Sequence, residues 1–206
     1  RRLGDLYRAH GWYEDAYRQY QTLASIRPDD PTALLLLAQA AAGTGSIDEA
    51  LRLEERLMET GQPGAAAGIA RVAQLWSSVR LAKLRHTARE AGDDDRLDAL
   101  KRRMRRGGVL SGAGDLRVTL VWSHPDAQLA LWAAHPEEGL ARPSELTPEH
   151  GIEAFDVPEQ ESGAYRLEVR RADPDAPTDL EAELIVVHRE GADDEVIQVL
   201  PLRFAE

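Results

Sequence analysis

The feature that most constrains this chain is a change in the spacing of its apolar residues near position 110. Up to about residue 106 they recur at intervals of three and four; from residue 115 onward they alternate. One element cannot follow both periods, so the sequence predicts a helical region over 1–106 and a β region over 115–206. The stretch between them, GGVLSGAG at 107–114, reads as a glycine-rich linker. With 206 residues, the chain is long enough for two modest domains that each bury a core.

In LGDLYRAHGWYEDAYRQYQTLASIRPDD, residues Leu3, Gly4, Tyr7, Tyr13, Ala16, Tyr20 and Leu23 fall on one face of each of two short helices. Gly11 marks the turn between them. Small residues at Gly4 and Ala16 allow a close approach, which Tyr7, Tyr20 and Leu23 fill from the sides. Pro28 ends the second helix, because the residue before a proline is pushed out of helical geometry.

This order of Leu-Gly, Tyr, Gly, Ala, aromatic and Pro resembles the tetratricopeptide repeat. Advancing by the 34-residue repeat carries Gly11 to Gly45, Ala16 to Ala50 and Leu23 to Leu57, so PTALLLLAQAAAGTGSIDEALRLEERLMETG reads as a second copy. It departs from the first at Ala38 for Gly4, Ala41 for Tyr7 and Glu54 for Tyr20, and thinner packing is expected there. The match starts in mid-motif at Arg1, as expected of a piece cut from a longer array. The resemblance implies a protein or peptide partner held by the first helix of each hairpin, which selects Asp5, Arg8, Ala38 and Gln39 as groove residues.

Helical spacing continues through Ile69, Val72, Trp76 and Val79 to about residue 91, then GDDD offers a turn with an Asp cap and RLDALKRRMRR starts another helix. This third, degenerate hairpin suits a capping element. Its basic run, Lys101 to Arg106, reads as a solvated helix end, as an intramolecular contact with the acidic half, or as a site for an external anion.

Beyond the linker, alternation at Leu116–Trp122, Leu129–Ala133, Tyr165–Val169 and Leu180–Val186, with a last run EVIQVLPLRF, predicts five or six short strands. Pro201 cannot donate to a ladder and belongs at an edge or a bulge. The fold class is therefore α+β and multidomain: helical hairpins followed by an antiparallel β-sandwich. The motifs LRVTLVW, LALWAAHPEEG, SGAYRLEVRR, AELIVVHREG and EVIQVLPLRF resemble the bacterial YfaP-like domain of unknown function 2135 over most of 115–204. That resemblance implies an envelope-associated, periplasmic, non-enzymatic protein. Gln128 stands where the family pattern tends to carry a second acid beside Asp126, which weakens any ion site carried over.

Charge separates the halves. Residues 1–114 hold 18 basic and 15 acidic side chains (+3), whereas 115–206 hold 7 and 21 (−14). The acidic half would repel phosphates, so nucleic acid is not the expected partner. Arginine heavily outnumbers lysine, which occurs at Lys83 and Lys101, as in GC-rich bacterial genomes. With no cysteine, disulfides, thiolate metal sites and thiol nucleophiles are excluded. No apolar run approaches the roughly 18 residues of a membrane span. No nucleophile and base, phosphate loop or dinucleotide motif is present, so neither catalysis nor a cofactor is expected.

Weak ligand sets remain. His124 and His135 with Asp126 or Glu137 lack a spacing that joins them on one face, and read as turn residues around a strand. Asp173, Asp175 and Asp179 form an acidic loop without the glycine and terminal Glu of a calcium loop. Of the tryptophans Trp122 and Trp132, at least one is expected to anchor the core. Trp132 runs out of phase with Leu129 and Leu131. Facing outward, it would serve an alternative function, a carbohydrate or peptidoglycan binding module.

Overall fold

The computed structural model describes residues 1–59, 65–109, 115–124, 127–134, 150–157, 159, 163–171 and 180–204. They form six helices, α1 (Arg2–Ala9), α2 (Tyr13–Ile26), α3 (Pro31–Gly43), α4 (Ile47–Glu59), α5 (Ala65–Ala91) and α6 (Asp94–Arg106). Six strands follow, β1 (Leu116–Trp122), β2 (Leu129–Ala134), β3 (Ile152–Val157), β4 (Arg166–Arg171), β5 (Leu180–His188) and β6 (Val196–Phe204). The chain divides into two compact units, Arg1–Arg80 and Leu81–Glu206. The division falls inside α5, whereas the sequence placed it at 107–114.

In the first unit the turns repeat with the sequence. Gly11 and Gly45 have φ of 70° and 85°, a left-handed conformation that favours glycine. The amides three residues past each helix end reach back in the same way, Trp12 to the Tyr7 carbonyl at 2.8 Å and Ser46 to the Ala41 carbonyl at 2.9 Å. The second hairpin is started by Asp30, whose carboxylate accepts from the Thr32 and Ala33 amides at 3.0 and 3.3 Å, with Pro31 in the first turn.

The hairpins differ inside. A Cβ on Gly4 would stand 2.6 Å from the Tyr20 ring, so only glycine lets α1 lie against that buried side chain. Tyr20 packs with Ala16, Leu36, Leu37 and Ala40. In the second hairpin Ala38 replaces the glycine and Glu54 the tyrosine. The result is polar rather than merely thin: fully buried Glu54 accepts from Ser77 Oγ at 2.9 Å and Arg80 Nε at 3.0 Å, both on α5.

The second unit contains a four-stranded sheet of order β3-β1-β5-β6 and a two-stranded sheet β2-β4, all pairs antiparallel. Leu116, Val118, Leu120 and Trp122 of β1 and Leu184 of β5 share one core with Leu129 and Leu131 of β2. Trp122 is the anchor expected, its Nε1 donating to the Ala127 carbonyl at 2.8 Å. Where β2 passes β3, the buried Glu153 carboxylate accepts from the Leu131 amide at 2.6 Å.

The four-stranded sheet is buried on its other face too. Thr119, Val121, Ile185 and Val187 are all inaccessible, and Lys83 of α5 reaches Glu183 there. Alternation along β1 thus does not mark a wet face; every residue from Leu116 to Trp122 is buried. β3 was not singled out in the sequence because IEAFDV puts Glu153 and Asp156 among its apolar residues. β6 lies at a sheet edge, where Pro201 is tolerated.

Candidate interaction site

The residues selected on the first helices of the hairpins come together in part. Arg8 of α1 donates through Nη1 to Gln39 Oε1 of α3, linking the two helices that should line a groove. Arg8 Nε is buried with no acceptor among the described residues. Asp5 accepts from Tyr20 OH at 2.7 Å, so its carboxylate is partly used in holding α1 to α2. Burial first, and then this bond to Asp5, push the Tyr20 hydroxyl well above its ordinary pKa.

Ala38 is corrected. It is fully buried, on a helix inaccessible along Ala33 to Ala38 and again at Ala40 and Ala41, and so offers no atom to a partner. Helical position alone did not reveal this, because α3 is apolar around most of its circumference and its polar residues are few, Thr32 and Gln39.

Sequence reasoning missed the aromatic turn joining α1 to α2. Trp12 is 55% exposed, its ring 5.1 Å from His10 and 5.9 Å from Tyr7 between centroids. Leu3, Leu6 and Ile26 of the same hairpin are also exposed. Large apolar side chains held in water on one hairpin are the usual substance of a protein contact. Tyr17 is bound to the second hairpin instead: it donates to Glu49 at 2.6 Å, and that bond, ahead of burial, raises its pKa to about 12.

In the second unit Trp132 is half-buried. Arg170 lies over its ring at 4.4 Å and also donates to Glu168 at 2.6 Å. The hydrogen bond from Arg170 holds the Glu168 pKa below the ordinary value. A sugar stacking on this face of Trp132 would have to displace the guanidinium. From the basic run, Lys101 Nζ stands 3.0 Å from Asp193 Oδ1, lowering the Asp193 pKa through that bond; Arg102, Arg105 and Arg106 are exposed.

The strongest electrostatic feature has no counterpart in the sequence reading. Buried Arg85 of α5 grips Glu195 with two nitrogens, at 2.6 and 3.1 Å, while Arg89 and the Gly191 amide reach the same carboxylate at 2.8 and 3.0 Å. Arg117 of β1 holds Glu190 at 2.8 Å and Asp156 at 2.5 Å. Burial alone would raise the Glu195 pKa, but Arg85, Gly191 and Arg89 together outweigh it and the carboxyl titrates below its ordinary range. Both glutamates are closed from solvent and fix the β5–β6 turn against α5 and β1. The spacing of more than a hundred residues between Arg85 and Glu195 hides the pair from any local motif.

Asp126, His135, Glu137, Asp173, Asp175 and Asp179 lie outside the described residues. No helix among the described residues is long and apolar enough to cross a membrane.

Against known families, residues 7–73 match the tetratricopeptide repeat. That stretch runs from the end of α1 through α2, α3 and α4 to the start of α5. Comparison with curated proteins and with solved structures gave no significant match.

Proposed function

We propose that this chain is an interaction scaffold whose first two hairpins hold a peptide or helix of a partner protein. The match of residues 7–73 to the tetratricopeptide repeat carries the reading, since such repeats mediate protein–protein interaction. The contact set is Asp5, Arg8 and Gln39 on the first helices, with Trp12 at the adjoining turn. Arg8 recommends itself because its side chain is only partly buried and already ties α1 to α3 through Gln39, so an acidic group of the partner would meet it where the two first helices join.

The YfaP-like motifs of residues 115–204 support a bacterial envelope setting and a non-enzymatic role. The Lys101 to Asp193 contact supports docking of the basic helix end on the acidic half. In the alternative, carbohydrate reading, Trp132 would be the platform, and Arg170 over its ring counts against it.

The test is co-purification from the source cell. The partner recovered with the wild-type chain should be lost with Arg8→Glu and with Trp12→Ala while the circular dichroism stays unchanged. Undiminished recovery with both variants refutes the groove. Glycan binding abolished by Trp132→Ala would replace this reading with the carbohydrate one.

A further inference from the structure

β6 is nine residues long and forms one edge of the four-stranded sheet. It is registered against β5 from Val196 to Phe204, and no described strand lies on its far side. Near its end, Leu202 and Phe204 pack onto the core between the sheets. Near its start the same face emerges from cover: Val196 is 50% and Leu200 44% exposed, with Gln198 exposed between them. The opposite edge is treated differently, because β3 turns buried Glu153 toward β2. A long apolar edge strand is a template for another strand.

We propose that β6 pairs antiparallel with β6 of a second copy of this chain, about a two-fold axis passing beside Gln198. Two observations select this occupant and this register. First, the strand is self-complementary: Val196 faces Leu200 of the second copy, Leu200 faces Val196, and Gln198 faces itself, so aliphatic meets aliphatic and amide meets amide.

Second, Pro201 fits only one such register well. It stays in line with Glu183 of β5, and a proline keeps its place in an edge strand when its missing donor points away from the ladder. The outward N–H and C=O groups then belong to Ile197 and Val199. With the axis at Gln198, Ile197 meets Val199 of the second copy, and the two such pairs exchange about four backbone hydrogen bonds. Pro201 falls opposite Glu195, just outside the strand. Centring the pairing on Leu200 would instead set Pro201 against Val199 and delete bonds from the middle of the ladder.

The absence of cysteine allows a direct test on the full chain. Across the axis the two Gln198 Cα atoms should lie about 4.5 Å apart, inside the roughly 4.4–6.8 Å that a disulfide spans. Gln198→Cys should therefore oxidise to a covalent dimer much faster than Arg18→Cys, an exposed control on α2. Light scattering should give a dimer for the wild type, and Leu200→Lys should weaken its association at least about tenfold, as charge on an edge does. A wild type that stays monomeric at high concentration, or Gln198→Cys cross-linking no faster than Arg18→Cys, overturns the proposal. Faster cross-linking by Leu200→Cys than by Gln198→Cys overturns it as well, and so does a monomer that takes an unrelated extended peptide along β6.

Discussion

Glu54 and Glu195 are both buried glutamates with arginine partners, yet they titrate in opposite directions. Glu54 has one guanidinium nitrogen of Arg80 and one hydroxyl, and burial prevails, so its pKa rises. Glu195 is desolvated less completely and receives both arms of Arg85, a nitrogen of Arg89 and the Gly191 amide; its pKa falls. The balance between desolvation and the donors aimed at a buried carboxylate decides whether it stays ionised. The helical unit has an acid that resists ionisation and the β unit one that depends on it.

The largest effect should come from taking away the donors. Arg85→Met leaves buried Glu195 with only Arg89 and the Gly191 amide, and removes from Glu190 a guanidinium 3.7 Å away, so it should destabilise the Leu81–Glu206 unit by about 3–5 kcal/mol in denaturant titration. A loss under about 1 kcal/mol would show that the network contributes little and would dissolve the contrast.

Next is the place that Glu54 takes over from Tyr20. Gly4→Ala drives a methyl into the Tyr20 ring and should cost about 1–3 kcal/mol, read by chemical denaturation followed at the helical signal. The second hairpin carries alanine at the matching position, and there Glu54 stands in place of the ring.

The pH response should separate the units. For Glu54 the folded state binds the extra proton, so its contribution is greatest below the ordinary glutamate value of 4.5 and is lost as pH rises through the elevated folded value. For Glu195 the unfolded state binds it, so the contribution is present above 4.5 and is lost as pH falls through the depressed folded value. With the base-catalysed intrinsic rate divided out, hydrogen-exchange protection of α4 should therefore fall toward neutral pH, and protection of the β5–β6 turn should fall toward acid. Glu54→Gln should abolish the first slope while changing neutral-pH stability by less than about 1 kcal/mol. Slopes of the same sign in both segments would refute the opposed titration.

Smallest of all, Lys101→Ala should leave the thermal midpoint unchanged, because its partner Asp193 is exposed and such pairs contribute little. A clear drop would mean that the exposed pair belongs with the buried network.

Much of the helical unit was legible. Gly11 and Gly45 announce their turns because a left-handed residue after a helix strongly favours glycine, and Asp30-Pro31 announces a helix start because it satisfies amides that lie within a few residues. Arg8 and Gln39, selected for their place on the first helices, are joined by a hydrogen bond. Ala38, selected in the same way, is buried, which a helix with polar residues at Thr32 and Gln39 alone does not announce. In the β unit, Trp122 and the edge position of Pro201 could be read locally. Arg85 and Arg117 could not: each sits among apolar residues and looks like the polar side of an element, whereas the sheet is covered on both faces.

The sequence by itself determined the helical repeat, its turns and caps, and the change to strands, because those depend on backbone preferences and side-chain period over a few residues. Only the tertiary structure decided which polar residues are buried, where the compact units divide, and which strand is left at an open edge. Those properties depend on which distant segments approach: the same glutamate is a solvated charge or a fixed internal ion according to whether an arginine a hundred residues away arrives beside it.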